Sequence, residues 1–276
     1  MADHAALITP LIDIARRASM AIMQVYESED FDIQHKDDDS PLTKADLASH
    51  QVIVNGLQKL TPDWPILSEE SVDIPWETRR AWQRYWLVDP LDGTKEFIKR
   101  NDEFTVNIAL IENNKVSMGI VLAPVLNVVW YAASTHGAFR ARIDDLARPI
   151  DNHQNLSRQV IKIRQVEADP VIVASRSHVT ERLQHYLEQL PQHERLACGS
   201  SLKFCRVAEG SADLYPRLGL TSEWDTAAAQ CIVEQAGGKV LKPDGQALDY
   251  NTKEDILNPE FLVIGDTNFK WPPIPV

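Results

Sequence analysis

"WLVDPLDGTKEF", residues 86–97, is the stretch from which the rest can be read. The apolar run Trp86-Leu87-Val88 reads as a buried strand. It delivers two aspartates three residues apart, Asp89 and Asp92, around a Pro-Leu pair and into Gly93-Thr94. Asp, Pro and Gly are turn formers, so the plain reading is a turn in which Asp92 caps a helix starting near Thr94. Comparison with other element ends gives a second reading. "WPILSEES" (64–71) is a short strand running into Glu69 and Glu70, and Asp225 opens the helical stretch "EWDTAAAQCIVEQAGG" (223–238). Three distant segments thus each bring carboxylates to an element end, which is unfavourable unless cations compensate.

Hard oxygen ligands without clustered Cys or His point to magnesium. Two such ions can activate a water and stabilise the leaving oxygen of a phosphoryl group. The N–H groups of Gly93 and Thr94 at a helix start offer a cradle for phosphate, and Leu91 is free to give its backbone carbonyl.

The remaining text bounds this reading. A chain of 276 residues can bury a full core, and its formal net charge of -12 argues against nucleic acid or an anionic membrane as partner. Cys198, Cys205 and Cys231 form no Cys-x-x-Cys pair and are odd in number, which suggests neither a disulfide framework nor a zinc site. Leu7, Leu11, Ala18, Ile22 and Val25 recur at helical spacing, so the N-terminus is expected to be an amphipathic helix of the fold. No stretch approaches the roughly 20 apolar residues that span a bilayer, and a soluble, cytoplasmic protein is expected.

A loop around Pro41 feeds a helix near 45–60 that has Asp46 at its start, and "TVNIALI", "VSMGIVLAPV" and "NVVWYAA" read as successive antiparallel strands. The polar segment 143–159 marks a boundary between a subdomain of residues 1–150, with most of the candidate metal ligands, and one of 151–276, with Asp225 and the residues expected to recognise the substrate. The second half alternates strand and helix. A layered α/β (α+β) protein is expected.

"DPLDGT", with "SEES" upstream and "EWDTAAAQCIVEQAGG" downstream, resembles the lithium-sensitive, magnesium-dependent phosphatase superfamily of inositol monophosphatases and fructose-1,6-bisphosphatases. With "LVDPLDGTKEFIKRNDEFTVNIALI", "ASRSH" and "GSSLKFCRVAEGSADLYPR", the chain is most similar to the 3'(2'),5'-bisphosphate nucleotidases of the bacterial CysQ type. The resemblance implies an αβαβα sandwich with an antiparallel N-terminal sheet and a smaller C-terminal one. It implies two or three Mg2+ ions held by Glu69, Asp89, the carbonyl of Leu91, Asp92 and Asp225. Asp46 and Thr94 would position or activate the attacking water with Glu69 close by, and Gly93 and Thr94 would hold the scissile phosphate. Glu70 would be a supporting acid.

Substrate choice is expected to come from the second half. "ASRSH" places Ser175, Arg176, Ser177 and His178 between a strand and a helix, where hydroxyls, a guanidinium and N–H groups can meet an anion. Taken singly, Ser177 could cap the helix and Arg176 and His178 be solvated. "GSSLKF" sets Ser200 and Lys203 a helical turn apart, and Arg217 follows a strand before the Asp225 helix. By resemblance, His178, Ser200, Lys203, Arg217 and Asp225 contact a nucleotide bisphosphate substrate.

The reaction so implied is hydrolysis of adenosine 3',5'-bisphosphate (PAP) to AMP and phosphate, with its sulfated analogue (PAPS to APS) as second substrate, in sulfate assimilation. Inositol monophosphatase or broad sugar phosphatase activity is the alternative within the same chemistry. A catalytically idle metabolite-binding protein or an RNA-associated one is disfavoured by the intact acid set and the negative charge. The resemblance adds peripheral association with the cytoplasmic face of the inner membrane as an expectation. Oligomeric state is left open, with a monomer favoured.

Overall fold

The chain opens with helix α1 (His4–Tyr26), a two-stranded antiparallel ribbon of β1 (Gln34–His35) and β2 (Pro41–Leu42), and helix α2 (Lys44–Leu60). The computed structural model describes residues 4–28, 31–35, 41–71, 74–167, 169–174 and 180–274. A seven-stranded sheet follows, its strands adjacent in chain order: β3 (Ile66–Ser68), β4 (Arg84–Asp92), β5 (Thr105–Glu112), β6 (Lys115–Ala123), β7 (Val128–Ala133), β8 (Gly137–Arg142) and β9 (Ser157–Val160). Two short helices, α3 (Trp76–Arg79) and α4 (Thr94–Ile98), flank β4 in sequence. The second half contributes β10 (Val171–Ala174), α5 (Glu181–Glu188), β11 (Glu194–Ala197), α6 (Leu202–Ala208), β12 (Leu214–Arg217), α7 (Glu223–Gln235), β13 (Lys239–Leu241) and β14 (Phe261–Ile264). Its strands form a five-stranded sheet in the order β11-β10-β12-β14-β13.

Side-chain alternation along the strands builds the layers. Trp86 and Val88 of β4, Ile108 and Leu110 of β5, and Val129 and Tyr131 of β7 pack with Leu11, Ile12, Ile22 and Ile53 of α1 and α2. Their neighbours Tyr85, Leu87, Ala109, Ile111, Val128 and Trp130 face the other way, onto Phe204, Cys205, Ala228, Cys231 and Ile232 of α6 and α7. The same alternation in the smaller sheet sends Val173, Tyr215 and Val263 toward α6 and α7, and Ile172, Leu214, Leu262 and Ile264 toward Leu183, Tyr186 and Leu187 of α5. The order is helix pair, sheet, helix pair, sheet, helix, the expected αβαβα sandwich. Since helices cover both faces of the larger sheet, its central strands read as unbroken apolar runs. No helix among the described residues is long and apolar enough to cross a membrane.

Several local features differ from expectation. The larger sheet is antiparallel except at β3, which pairs parallel to β4, and the smaller sheet is mixed. Segment 143–159, polar in sequence, ends by adding the edge strand β9, all four of whose residues are exposed. Such a strand has no buried face to write an apolar period. β11 is mostly exposed for the same reason. Helix α5 starts at Glu181 with Thr180 as its N-cap; Ser175, Arg176, Ser177 and His178 lie outside the described residues. At the end of α7, Gly237 takes φ 100°, and the N–H groups of Gly237 and Gly238 reach back to the carbonyls of Glu234 and Val233, closing the helix as the Gly-Gly pair predicts.

Helix α7 lies directly on β6. A Cβ added to Gly119 would stand 2.0 Å from the carbonyl oxygen of Ala228 and 2.7 Å from its carbon. Both are backbone atoms and cannot rotate away. Gly119→Ala is therefore expected to push α7 off the sheet and cost about 1–3 kcal/mol or more. Gly219→Ala, which meets nothing within 4 Å at a position without positive φ, should be close to neutral. Urea denaturation of the two variants checks the contrast, and equal midpoints would contradict the close approach.

Candidate active site

In an unbroken strand, residues three apart project to opposite faces. Asp89 and Asp92 escape that rule through a bulge. Asp89 pairs with Asn107 and Asp92 with Thr105, so three steps on β4 are matched by two on β5. The extra residue brings both carboxylates to one side. The bulge is pinned by the Ser49 hydroxyl, which donates to the carbonyl of Pro90 (2.7 Å), and by the Leu91 N–H, which donates to Asp89 Oδ1 (3.0 Å).

Glu69 arrives by strand direction. Because β3 runs parallel to β4 with Ser68 opposite Val88, the chain leaves both strands at the same end, and Glu69 comes to lie close enough to Asp89 for its charge to act on that carboxyl. Asp225 arrives by helix capping. It is the third residue of α7, and its Oδ2 accepts the Ser222 N–H at 2.9 Å. Oxygens of Asp89, Asp92 and Asp225 all lie within 4.8 Å of one another.

Asp46 occupies the same third position in α2. Its Oδ2 accepts the Thr43 N–H (2.8 Å) and hydroxyl (2.6 Å), while Oδ1 faces the Thr94 hydroxyl at 3.2 Å. Thr94 Oγ1 also stands 3.4 Å from the Leu91 carbonyl. Both aspartates thus sit in a Ser/Thr-x-x-Asp capping box, Thr43 to Asp46 and Ser222 to Asp225, a pattern legible in the sequence. Asp92 does not cap α4. The N-cap there is Gly93, at φ 95° and without a side-chain bond, and Asp92 is bound instead by Ser200 and Ser201.

The carboxylates are electrostatically crowded. Burial, together with the charges of Glu69, Asp92 and Asp225, pushes the Asp89 carboxyl well above the ordinary range. Desolvation and the charges of Asp92 and Glu69 push Asp225 up as well, against the pull of the Ser222 N–H and Arg217. Among the described residues no lysine or arginine forms an ion pair with Asp89, Asp92 or Asp225. An all-oxygen donor set with uncompensated negative charge fits a hard divalent cation such as magnesium.

The cavity above these acids is lined by Asp92, Gly93, Ser200, Lys203, Arg217 and Asp225. Lys203 is only 8% exposed, with Nζ 5.5 Å from the centre of the Tyr215 ring, so it is no solvated surface lysine. Arg217 ends β12 and donates from Nη2 to the Leu220 carbonyl, while its buried Nε has no partner. Ser200 precedes α6 in a left-handed conformation (φ 51°), so it and Lys203 do not share one helix, although both reach the cavity. Sequence reading missed Ser201, Asn107 and Tyr215. Tyr215, two residues before Arg217 on the same strand face, could have been found from the period of two. Trp224 and Cys231 are core residues.

The inositol monophosphatase family model matches residues 3–264. The chain is 51% identical to the 3'(2'),5'-bisphosphate nucleotidase CysQ of Salmonella typhimurium over 259 residues, covering 93% of this chain and 99% of that protein. The protein of the same name from Escherichia coli K12 is 49% identical over the same span. Among solved structures, CysQ from Bacteroides thetaiotaomicron, a bacterial member of the inositol monophosphatase family, superposes with a TM-score of 0.82 at 39% identity, covering 95% of this chain and 97% of that one. A Thermotoga maritima IMPase shares the fold with a TM-score of 0.74 at 23% identity, covering 92% and 90%. Match length and identity together place this chain in the inositol monophosphatase family.

Proposed function

We propose that the chain is a magnesium-dependent phosphoric monoester hydrolase that removes the 3'-phosphate of adenosine 3',5'-bisphosphate, giving AMP and phosphate, with the sulfated analogue as second substrate. It would thereby serve sulfate assimilation in the cytoplasm. The names of the nearly full-length relatives support the reaction. The observation that carries the choice of substrate is the placement of Lys203 and Arg217 on the same cavity as the carboxylates. Two cations beyond the acidic floor suit a substrate with a second anionic group.

In this reading Glu69, Asp89, Asp92, Asp225 and the carbonyl of Leu91 hold two or three Mg2+ ions, and these come mostly from the first half of the chain. Bound there, magnesium supplies positive charge to the phosphoryl and leaving oxygens. The protein's own groups manage the proton. Thr94 donates its hydroxyl proton to Asp46 Oδ1, which leaves the Thr94 oxygen free to accept from a water and turn that water's lone pair toward phosphorus. As the water gives up its proton to Thr94, the Thr94 proton passes to Asp46. Glu69 stands close by. Gly93 and Thr94 hold the phosphoryl group, and Ser200, Lys203, Arg217 and His178 hold the rest of the nucleotide.

Phosphate release from purified protein, with and without magnesium, on adenosine 3',5'-bisphosphate, its sulfated analogue and inositol 1-phosphate tests the assignment. Preference for inositol 1-phosphate would give the inositol monophosphatase reading first rank. Asp92→Asn and Asp225→Asn should each leave less than about a tenth of the activity. Asp225→Asn should keep or raise the melting temperature of the metal-free protein, because a crowded negative charge is removed. Unfolding on either substitution would mean that these carboxylates are structural.

Lithium at millimolar concentration is expected to inhibit, as in the superfamily that the motifs resemble; full activity in its presence would count against membership of the lithium-sensitive branch.

Lys203→Ala and Arg217→Ala should lower kcat/KM on adenosine 3',5'-bisphosphate by roughly tenfold to a hundredfold, the worth of a charge-assisted hydrogen bond. Inositol 1-phosphate should be affected much less. Proportional losses on both substrates would assign these cations to the fold or to the scissile phosphate instead.

A further inference from the structure

The two oxygens of Asp92 are held very unequally, and the asymmetry supports a proposal that rests on the magnesium reading above. Oδ2 is the acceptor of four groups: the Ser201 N–H (2.6 Å), the Ser201 hydroxyl (2.6 Å), the Ser200 hydroxyl (2.9 Å) and Asn107 Nδ2 (3.3 Å). Four donors more than fill the lone pairs of one carboxylate oxygen. Asp225, by comparison, accepts the single N–H of Ser222. The free oxygen of Asp92 is therefore Oδ1.

Proton directions in the cluster follow from its partners. The Ser201 oxygen lies 2.6 Å from Asp92 Oδ2 and 2.8 Å from the Asp225 carbonyl, and it accepts from Asn107 Nδ2 at 2.9 Å. Its one proton goes to the charged acceptor, Asp92. Asn107 Nδ2 faces two acceptors, the Ser201 oxygen and Asp92 Oδ2, which orients the amide and leaves its Oδ1 3.0 Å from the Thr105 oxygen, itself 2.6 Å from the Ser200 oxygen. Asn107 and Ser201 are each 1% exposed, and a buried amide and hydroxyl cost stability unless every polar atom is satisfied.

We propose that Asn107 and Ser201 are positioning residues, which clamp Asp92 Oδ2 so that Oδ1 is presented to the cation. They act through Asp92. The clamp also spans the molecule, since Asn107 belongs to β5 of the larger sheet while Ser201 is the N-cap of α6, the helix that carries Lys203. One carboxylate oxygen thereby sets the metal ligand and the nucleotide-recognition helix in a common frame.

The test is Mn2+ binding to the full chain without substrate, counted from the electron paramagnetic resonance of the free ion. Ser201→Ala removes one oxygen and keeps the backbone N–H bond; Asn107→Ala breaks the other arm. Each is expected to weaken Mn2+ affinity by about 10- to 100-fold, the usual effect of losing a partner of a metal ligand. The magnesium concentration for half-maximal phosphate release should rise in step, with kcat recovered at excess magnesium. Ser201→Thr, which keeps the hydroxyl, should bind more tightly than Ser201→Ala. A packing defect alone would lower kcat and melting temperature without moving the magnesium midpoint, and that outcome overturns the proposal. Unchanged Mn2+ affinity in both Ala variants, with affinity lost in Asp92→Asn, overturns the clamp alone. A wild-type chain that binds no Mn2+ removes the magnesium reading and the clamp with it.

Discussion

One extra residue in β4 is the constraint on which the site depends. Without the bulge between Asp89 and Asp92 the strand would turn one carboxylate toward α6 and α7 and the other toward α1 and α2. With it, both meet Asp225 within 4.8 Å, at a cost visible in the raised carboxyls of Asp89 and Asp225. A chain that gathers like charges in a desolvated place must hold them by other bonds. Here the holding is done by backbone N–H groups and hydroxyls, since no basic side chain among the described residues pairs with the three acids.

Two of the aspartates are presented in the same way. Asp46 and Asp225 each occupy the third position of a helix whose N-cap is Thr43 or Ser222. An acid there satisfies the cap's N–H and lies at the positive end of the helix, so the helix start fixes one of its oxygens. For Asp46 the fixed oxygen is Oδ2, and Oδ1 receives the Thr94 hydroxyl. The residue types that make stable helix starts are the ones the chemistry needs, which is why these helices can begin at the site without strain.

Much of this was legible in the sequence, and the losses have physical causes. The layers could be read because both faces of the central strands are buried, which writes long apolar runs such as "TVNIALI". β9 and β11 could not, because exposed edge strands carry no apolar period. β14, although buried throughout, is a run of only four residues, which periodicity alone cannot tell from a helix fragment. The acidic residues stood out because carboxylates at three element ends have no packing use. Ser201 and Asn107 did not stand out. Serine at a helix start and asparagine in a strand have ordinary explanations, and their role rests on a contact across the two halves of the chain that no local spacing encodes. Lys203 was recoverable only by resemblance, since burial of a lysine on Tyr215 depends on how α6 meets β12.

Charge at two length scales separates attraction from recognition. The chain carries a formal net charge of -12, so its long-range field repels an anionic substrate, and screening over roughly 8–10 Å is needed before local groups dominate. Inside the cavity the sign is mixed: carboxylates form the floor, and Lys203 and Arg217 are set into the lining. The floor alone would repel a phosphoryl group. Only when its charge is reversed do floor and lining act together on a substrate with two separated anions, whereas the lining cations alone could hold one anion away from the reacting groups. In the proposed reading an ester with a single phosphate would leave the charge of Lys203, buried against Tyr215, without a matching anion. Selectivity for a bisphosphate would then follow, in that reading, from the distance between two sites of positive charge, one built from side chains and the other depending on the ions that the acids would gather.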